Sequence, residues 1–159
     1  MRFYTASSLT NLTLVSRFNQ SIRDLGHVVT YDWSTHGASQ HAGELADDIR
    51  VRLSNTAMQE RDGVVTADIV VVILPGGRGT HVELGMAIAS GATILMVVRP
   101  EDKLENPCCC FHYAEGVHHL VVHGDIPEVQ FDAAVIGHAL ALSRGETHAL
   151  TAHLSISHE

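Results

Sequence analysis

Basic residues are scarce in this chain of 159 residues: 10 Lys and Arg stand against 18 Asp and Glu, for a formal charge of −8. Phosphate backbones are held by clustered cations, so the balance argues against a nucleic-acid partner. No apolar run approaches the roughly 18 residues of a membrane span, and no membrane partner is expected. Met1-Arg2-Phe3-Tyr4 runs straight into strand-like sequence without a leader pattern, so a cytoplasmic location is expected. Cysteine is confined to one run, Cys108-Cys109-Cys110. Adjacent cysteines are poorly placed to pair, and no CxxC exists, which excludes a disulfide framework and a zinc ribbon. They read as ordinary thiols in a partly buried loop.

Histidine, by contrast, is plentiful at 12 residues. His118-His119 and His123 flank the strand-like pair Val121-Val122, but no second cluster at ligand spacing accompanies them. They read as scattered surface histidines, and neither a metal nor a cofactor is expected.

What the chain has is a large apolar share, 45%, enough for one core and one domain over residues 1–159. Short apolar runs alternate with helical patterns, as in a parallel sheet covered on both faces. Strands are predicted at Arg2–Ala6, His27–Tyr31, Ile69–Leu74, Thr93–Val98 and His119–His123. Helices are predicted over Leu9–Asp24, Glu44–Arg61, His81–Ser90 and Asp125–Ser143, the second with Leu45, Ile49, Leu53 and Ala57 as its apolar stripe. Ser34–Gly43 reads as a lid-like loop, Asn106–Tyr113 as a second loop shaping the pocket, and Arg144–Glu159 as weakly structured or oligomer-contacting. The class is α/β, a flavodoxin/Rossmann-like three-layer sandwich on a five-stranded parallel sheet of order 2-1-3-4-5. In that order a crevice opens where strands one and three lie side by side, which brings Tyr4 and the Ser7-Ser8 turn beside residues 76–83.

The junction Pro75-Gly76-Gly77-Arg78-Gly79-Thr80 joins the central strand to a helix, and such a junction offers free backbone N–H groups and a positive dipole end to an anion. Glu83 follows, a carboxylate where an anion binder would avoid one. Thr80-His81-Val82-Glu83 fits a capping box, with Thr80 as the cap and Glu83 reaching back to its N–H. The same position suits an ionised carboxylate acting as a nucleophile.

Tyr4-Thr5-Ala6-Ser7, Ala67-Asp68-Ile69-Val70-Val71 and Gly79-Thr80-His81-Val82-Glu83-Leu84-Gly85-Met86-Ala87-Ile88-Ala89-Ser90-Gly91 resemble the nucleoside 2-deoxyribosyltransferase family over about residues 1–98. The resemblance implies that Glu83 attacks the anomeric carbon, that Tyr4, ending the first strand, steers it, and that Glu60 contacts the base. Family members usually carry Asp there, and Asp62 lies close enough to substitute. Ser7, Ser8 and the segment Gly77, Arg78, Gly79, Thr80 and His81 are the candidate substrate contacts, although Ser7 and Ser8 equally suit capping of the first helix. An aspartate that often precedes the GT pair is replaced by Gly77 and Arg78, and Arg78 suits a 5′-phosphate. The family completes its sites with a neighbour's residues, which implies a homo-oligomer.

Pro75 to Glu83 also satisfies PGGxGTxxE, the pattern of the cytokinin-activating phosphoribohydrolases, though the Arg-Lys pair usual there is reduced to Arg61. Both resemblances imply cleavage or transfer at an N-glycosidic bond of a (deoxy)nucleoside or (deoxy)nucleotide. The reaction is then a transferase or N-glycosidase reaction of nucleotide metabolism, through a glutamate nucleophile and a glycosyl-enzyme intermediate. The remaining alternatives are a nucleoside 5′-monophosphate phosphoribohydrolase and a non-catalytic nucleotide-sensing module.

Overall fold

The computed structural model describes residues 1–35, 45–102, 109–146 and the backbone of 151–154. β1 (Arg2–Ser7), β2 (Val28–Val29), β3 (Ile69–Ile73), β4 (Thr93–Val98), β5 (Val117–Val122) and β6 (Thr151–Leu154) form one sheet of order β2-β1-β3-β4-β5-β6. Every pairing is parallel. The expected order 2-1-3-4-5 is present, and β6 extends it by pairing with β5 from His119↔Thr151 to Val122↔Leu154. The tail expected to be weakly structured therefore holds an edge strand, whose four residues are too short a run to stand out by period. β2 is shorter than predicted, paired only through Val28 and Val29.

Period-two side-chain alternation divides the interior between two faces. Phe3, Ile69, Val71, Ile73, Leu95 and Val97 join Phe18 and Ile22 of α1 (Leu12–Asp24) and Phe131, Val135 and Ile136 of α4 (Glu128–Ser143). Tyr4, Ala6, Val70, Val72, Ile94 and Met96 face the other way, onto Val64 of α2 (Ala46–Val65) and Leu84 and Ala87 of α3 (Arg78–Ser90). All five residues of β3 are buried, as expected for a central strand covered on both sides.

Two helix expectations are corrected. α1 opens with a separate 3-10 turn, Leu9–Asn11, capped by Ser8, whose Oγ accepts from Thr10 N at 3.3 Å. α2 runs on to Val65, and it is buried at Gly63 and Val64 rather than along the predicted stripe. Leu45 is 72% and Leu53 54% exposed. The expected lid, apart from Ser34 and Thr35 in the 3-10 turn Trp33–Thr35, and residues 106–108 of the second loop lie outside the described residues.

Candidate active site

The pleat of β1 sets the site. Tyr4 pairs with Val70 and faces α3, so a fully buried phenol points at that helix from beneath. Because β1 continues to Ser7, Tyr4 is a mid-strand residue and not the strand end expected. α3 starts at Arg78 with Gly77 as its N-cap, so Thr80 occupies its third position, not the cap. Its Oγ1 accepts from Gly77 N at 3.0 Å, which ties down the first turn. Glu83 is thereby released from capping. Thr80, Glu83, Leu84 and Ala87 form the inward stripe of α3 at helical spacing.

Glu83 is 7% exposed, and Tyr4 Oη donates a hydrogen bond to its Oε1. Burial pushes the Glu83 carboxyl up to about 7; the bond from Tyr4 opposes that rise, and the negative charge of Glu60 adds to it. The Tyr4 hydroxyl is driven far above its ordinary value, first by burial and then by the charge and hydrogen bond of Glu83, with Glu60 and Tyr31 contributing. Tyr4 is therefore a permanent donor. A buried carboxylate held by one donor, with its second oxygen left for a reacting centre, is an arrangement suited to nucleophilic or electrostatic catalysis.

Glu60, on the last turns of α2, is half-buried, and its carboxyl is raised by burial. It acts electrostatically on Tyr4, Glu83 and Tyr31. Tyr31, just beyond β2, is a member of this group that the sequence reading did not single out. Its place follows from the sheet order, since β2 lies beside β1. Gly63 is another, because a Cβ there would stand 2.7 Å from Tyr31 Cβ and 3.1 Å from two ring carbons of Tyr4. Only a glycine lets α2 approach the two tyrosines this closely.

The other candidates lie elsewhere. Asp62 is exposed and paired with Arg61 at 2.6 Å. Ser7 Oγ donates to the Ile73 carbonyl at 2.7 Å and accepts from Asn11 Nδ2 at 2.8 Å, which staples β1 to β3. Ser8 is used as the cap already described. Gly77 is half-buried, and Arg78 and Gly79 are exposed at the start of α3. A cavity of about 250 Å³ opens at the carboxyl ends of β3 and β4 on the α1/α4 side, lined by Asn11, Leu74, Pro75 and Arg99 among others. This cavity is not the crevice expected between β1 and β3: it lies over β3 and β4, on the opposite face of the sheet from Tyr4 and Glu83, and neither of them lines it.

His81 and His112 stack at 5.3 Å between ring centroids and 12° between planes. His119 is 9% exposed and His118 half-buried, which corrects the surface expectation for those two, whereas His123 is exposed as expected; His112 is 4% exposed. Cys109 is half-buried and Cys110 exposed.

Among the described residues, no helix is long and apolar enough to cross a membrane. No protein-family model and no curated protein matches the sequence. Among solved structures the chain is similar to a CMP N-glycosidase of Clostridium botulinum, BcmB, with 16% identity and a TM-score of 0.56. The match covers 87% of this chain and 99% of that one, and at this identity what the two share is the fold.

Proposed function

We propose that this chain is an enzyme that cleaves, or transfers at, the N-glycosidic bond of a nucleoside or nucleotide, with Glu83 as the nucleophile. The observation that carries this reading is the buried Glu83 carboxyl held by the Tyr4 hydroxyl. Breaking a C1′–N bond develops an oxocarbenium-like sugar, which a close carboxylate stabilises or captures as a glycosyl-enzyme intermediate. Tyr4 aims the carboxylate. Glu60, half-buried with a raised carboxyl, has the character of a proton donor to the departing base, and it is preferred to the outward-facing Asp62. Water or a second base then releases the sugar. The solved N-glycosidase of similar fold acts on CMP, which supports a nucleoside 5′-monophosphate as substrate, and exposed Arg78 at the α3 terminus is suited to the phosphate.

Incubation with a panel of ribo- and deoxynucleosides and their 5′-monophosphates, followed by chromatography for free base, tests the reading. Base release is expected, with a loss of about 10³-fold in Glu83→Gln and a weaker preference for the phosphorylated substrate in Arg78→Ala. Tight binding without base release would instead establish a nucleotide-sensing module. Equal rates on nucleoside and monophosphate, unchanged by Arg78→Ala, would remove the phosphate role.

A further inference from the structure

We propose that His81, Cys109 and His112 form a binding site for a zinc-class transition-metal ion that fastens the 3-10 turn Cys110–Tyr113 to the start of α3. One ligand atom from each residue lies within 4.8 Å of the others. A tetrahedral zinc ion with ordinary Zn–N and Zn–S bonds holds its ligand atoms roughly 3.3–3.6 Å apart, so closure asks for movements of about 1 Å together with a turn of one imidazole out of the stack, because ring lone pairs lie in the ring planes. His81 Nδ1 lies 2.8 Å from the Gly77 carbonyl oxygen. In the tautomer that donates from Nδ1 to this carbonyl, Nε2 is the ligand atom. A ligand histidine fixed through its other nitrogen by a backbone carbonyl is the usual outer-shell support of a metal site.

His112 supplies the second, independent observation. The residue is 4% exposed, and its Nδ1 is buried without a hydrogen-bond partner. Buried ring nitrogens are ordinarily satisfied; His118 Nδ1 and His138 Nε2 are likewise open, and of the three residues only His112 also belongs to a cluster of potential ligands. Its backbone is anchored as well: His112 O lies 2.9 Å from His119 Nε2, so the turn is held in place from the β5 side. Two imidazoles and a thiol are a borderline-soft donor set, suited to Zn²⁺ rather than Mg²⁺ or Ca²⁺. Three protein ligands leave a fourth position for water or a bound molecule.

The test uses the whole chain, reduced and stripped with a chelator, titrated first with Co²⁺ and then with Zn²⁺. One Co²⁺ per chain is expected, with a thiolate-to-metal charge-transfer band, the strong visible absorption of a tetrahedral ion, and displacement by one equivalent of Zn²⁺. Cys109→Ser should abolish the charge-transfer band. His81→Gln and His112→Gln should each weaken binding by at least about 10-fold, since a lost ligand costs no less than a lost outer-shell partner. Exposed Cys110, outside the cluster, is the control, and Cys110→Ser should bind as the parent does. Absence of stoichiometric Co²⁺ binding by the folded parent chain overturns the proposal, as does a charge-transfer band that survives Cys109→Ser. Because the readout is metal binding, it is separate from base release and from the role of Glu83.

Discussion

Single residues decide the chemistry of this site. Glu83 is a buried carboxyl and not a cap because Thr80 takes the capping bond from Gly77, leaving Glu83 to meet the Tyr4 hydroxyl. The exact role of each depends on the close approach allowed by Gly63. Its replacement by alanine would, by helix propensity alone, stabilise α2 by up to about 1 kcal/mol. The added methyl would however stand 2.7 Å from Tyr31 Cβ, an atom fixed to the backbone, and against the buried ring of Tyr4. Overpacking should win, so Gly63→Ala is expected to destabilise by about 1–3 kcal/mol in urea unfolding. Base release should fall with it as Tyr4 is displaced, whereas a gain in stability would show that α2 does not pack here. The glutamate and the first tyrosine were legible in the sequence through motif and position. Tyr31 and Gly63 were not, because they meet Tyr4 only when β2 and the end of α2 close over β1.

Between elements, a polar relay fixes how α1 and the turn after β2 meet the sheet. Thr5 Oγ1 donates to buried Asn19 Oδ1 at 2.7 Å, and Asn19 Nδ2 donates to Asp32 Oδ1 at 2.9 Å. Arg23 and Ser34 donate to the same carboxylate. Burial pushes the Asp32 carboxyl up, but the hydrogen bonds from Ser34, Arg23 and Asn19 outweigh it and hold the group below its ordinary 3.8. The sign of the linkage follows: a depressed folded-state value stabilises the fold fully at pH above the unfolded value, and that contribution is lost as pH falls through the folded one. Asp32→Asn is therefore expected to cost about 1.5–3 kcal/mol at pH 7. The difference from the parent should shrink as unfolding is measured below pH 4. An equal difference at all pH values would mean that the charge of Asp32 contributes nothing. The helices themselves were legible from their periodicity, but α2 was not placed correctly, since a stripe such as Leu45 and Leu53 marks an amphipathic helix without saying what it faces.

At the scale of the molecule, α2 exposes Val51, Leu53 and Met58 on more than one of its sides, with exposed Leu45 just before it. A homo-oligomer that packs around this helix, expected from the family resemblance, would bury them. Light scattering coupled to size exclusion should find more than one chain per particle, and Leu53→Asp with Met58→Asp should shift the population toward monomer; a monomeric parent chain would exclude the assembly. The sequence by itself determined the α/β class, the parallel order 2-1-3-4-5 and the position of Glu83 on a helix after the central strand. Those features are local: apolar runs, helical spacing and a glycine junction are written in neighbouring residues. Tertiary structure decided the rest. It added β6 at the sheet edge, set Glu60 beside the Tyr4–Glu83 pair while turning Asp62 outward, and gathered His81, Cys109 and His112 from separate parts of the chain. The physical reason is that burial and the meeting of charges are properties of surfaces brought together by the fold, and no spacing along the chain records them.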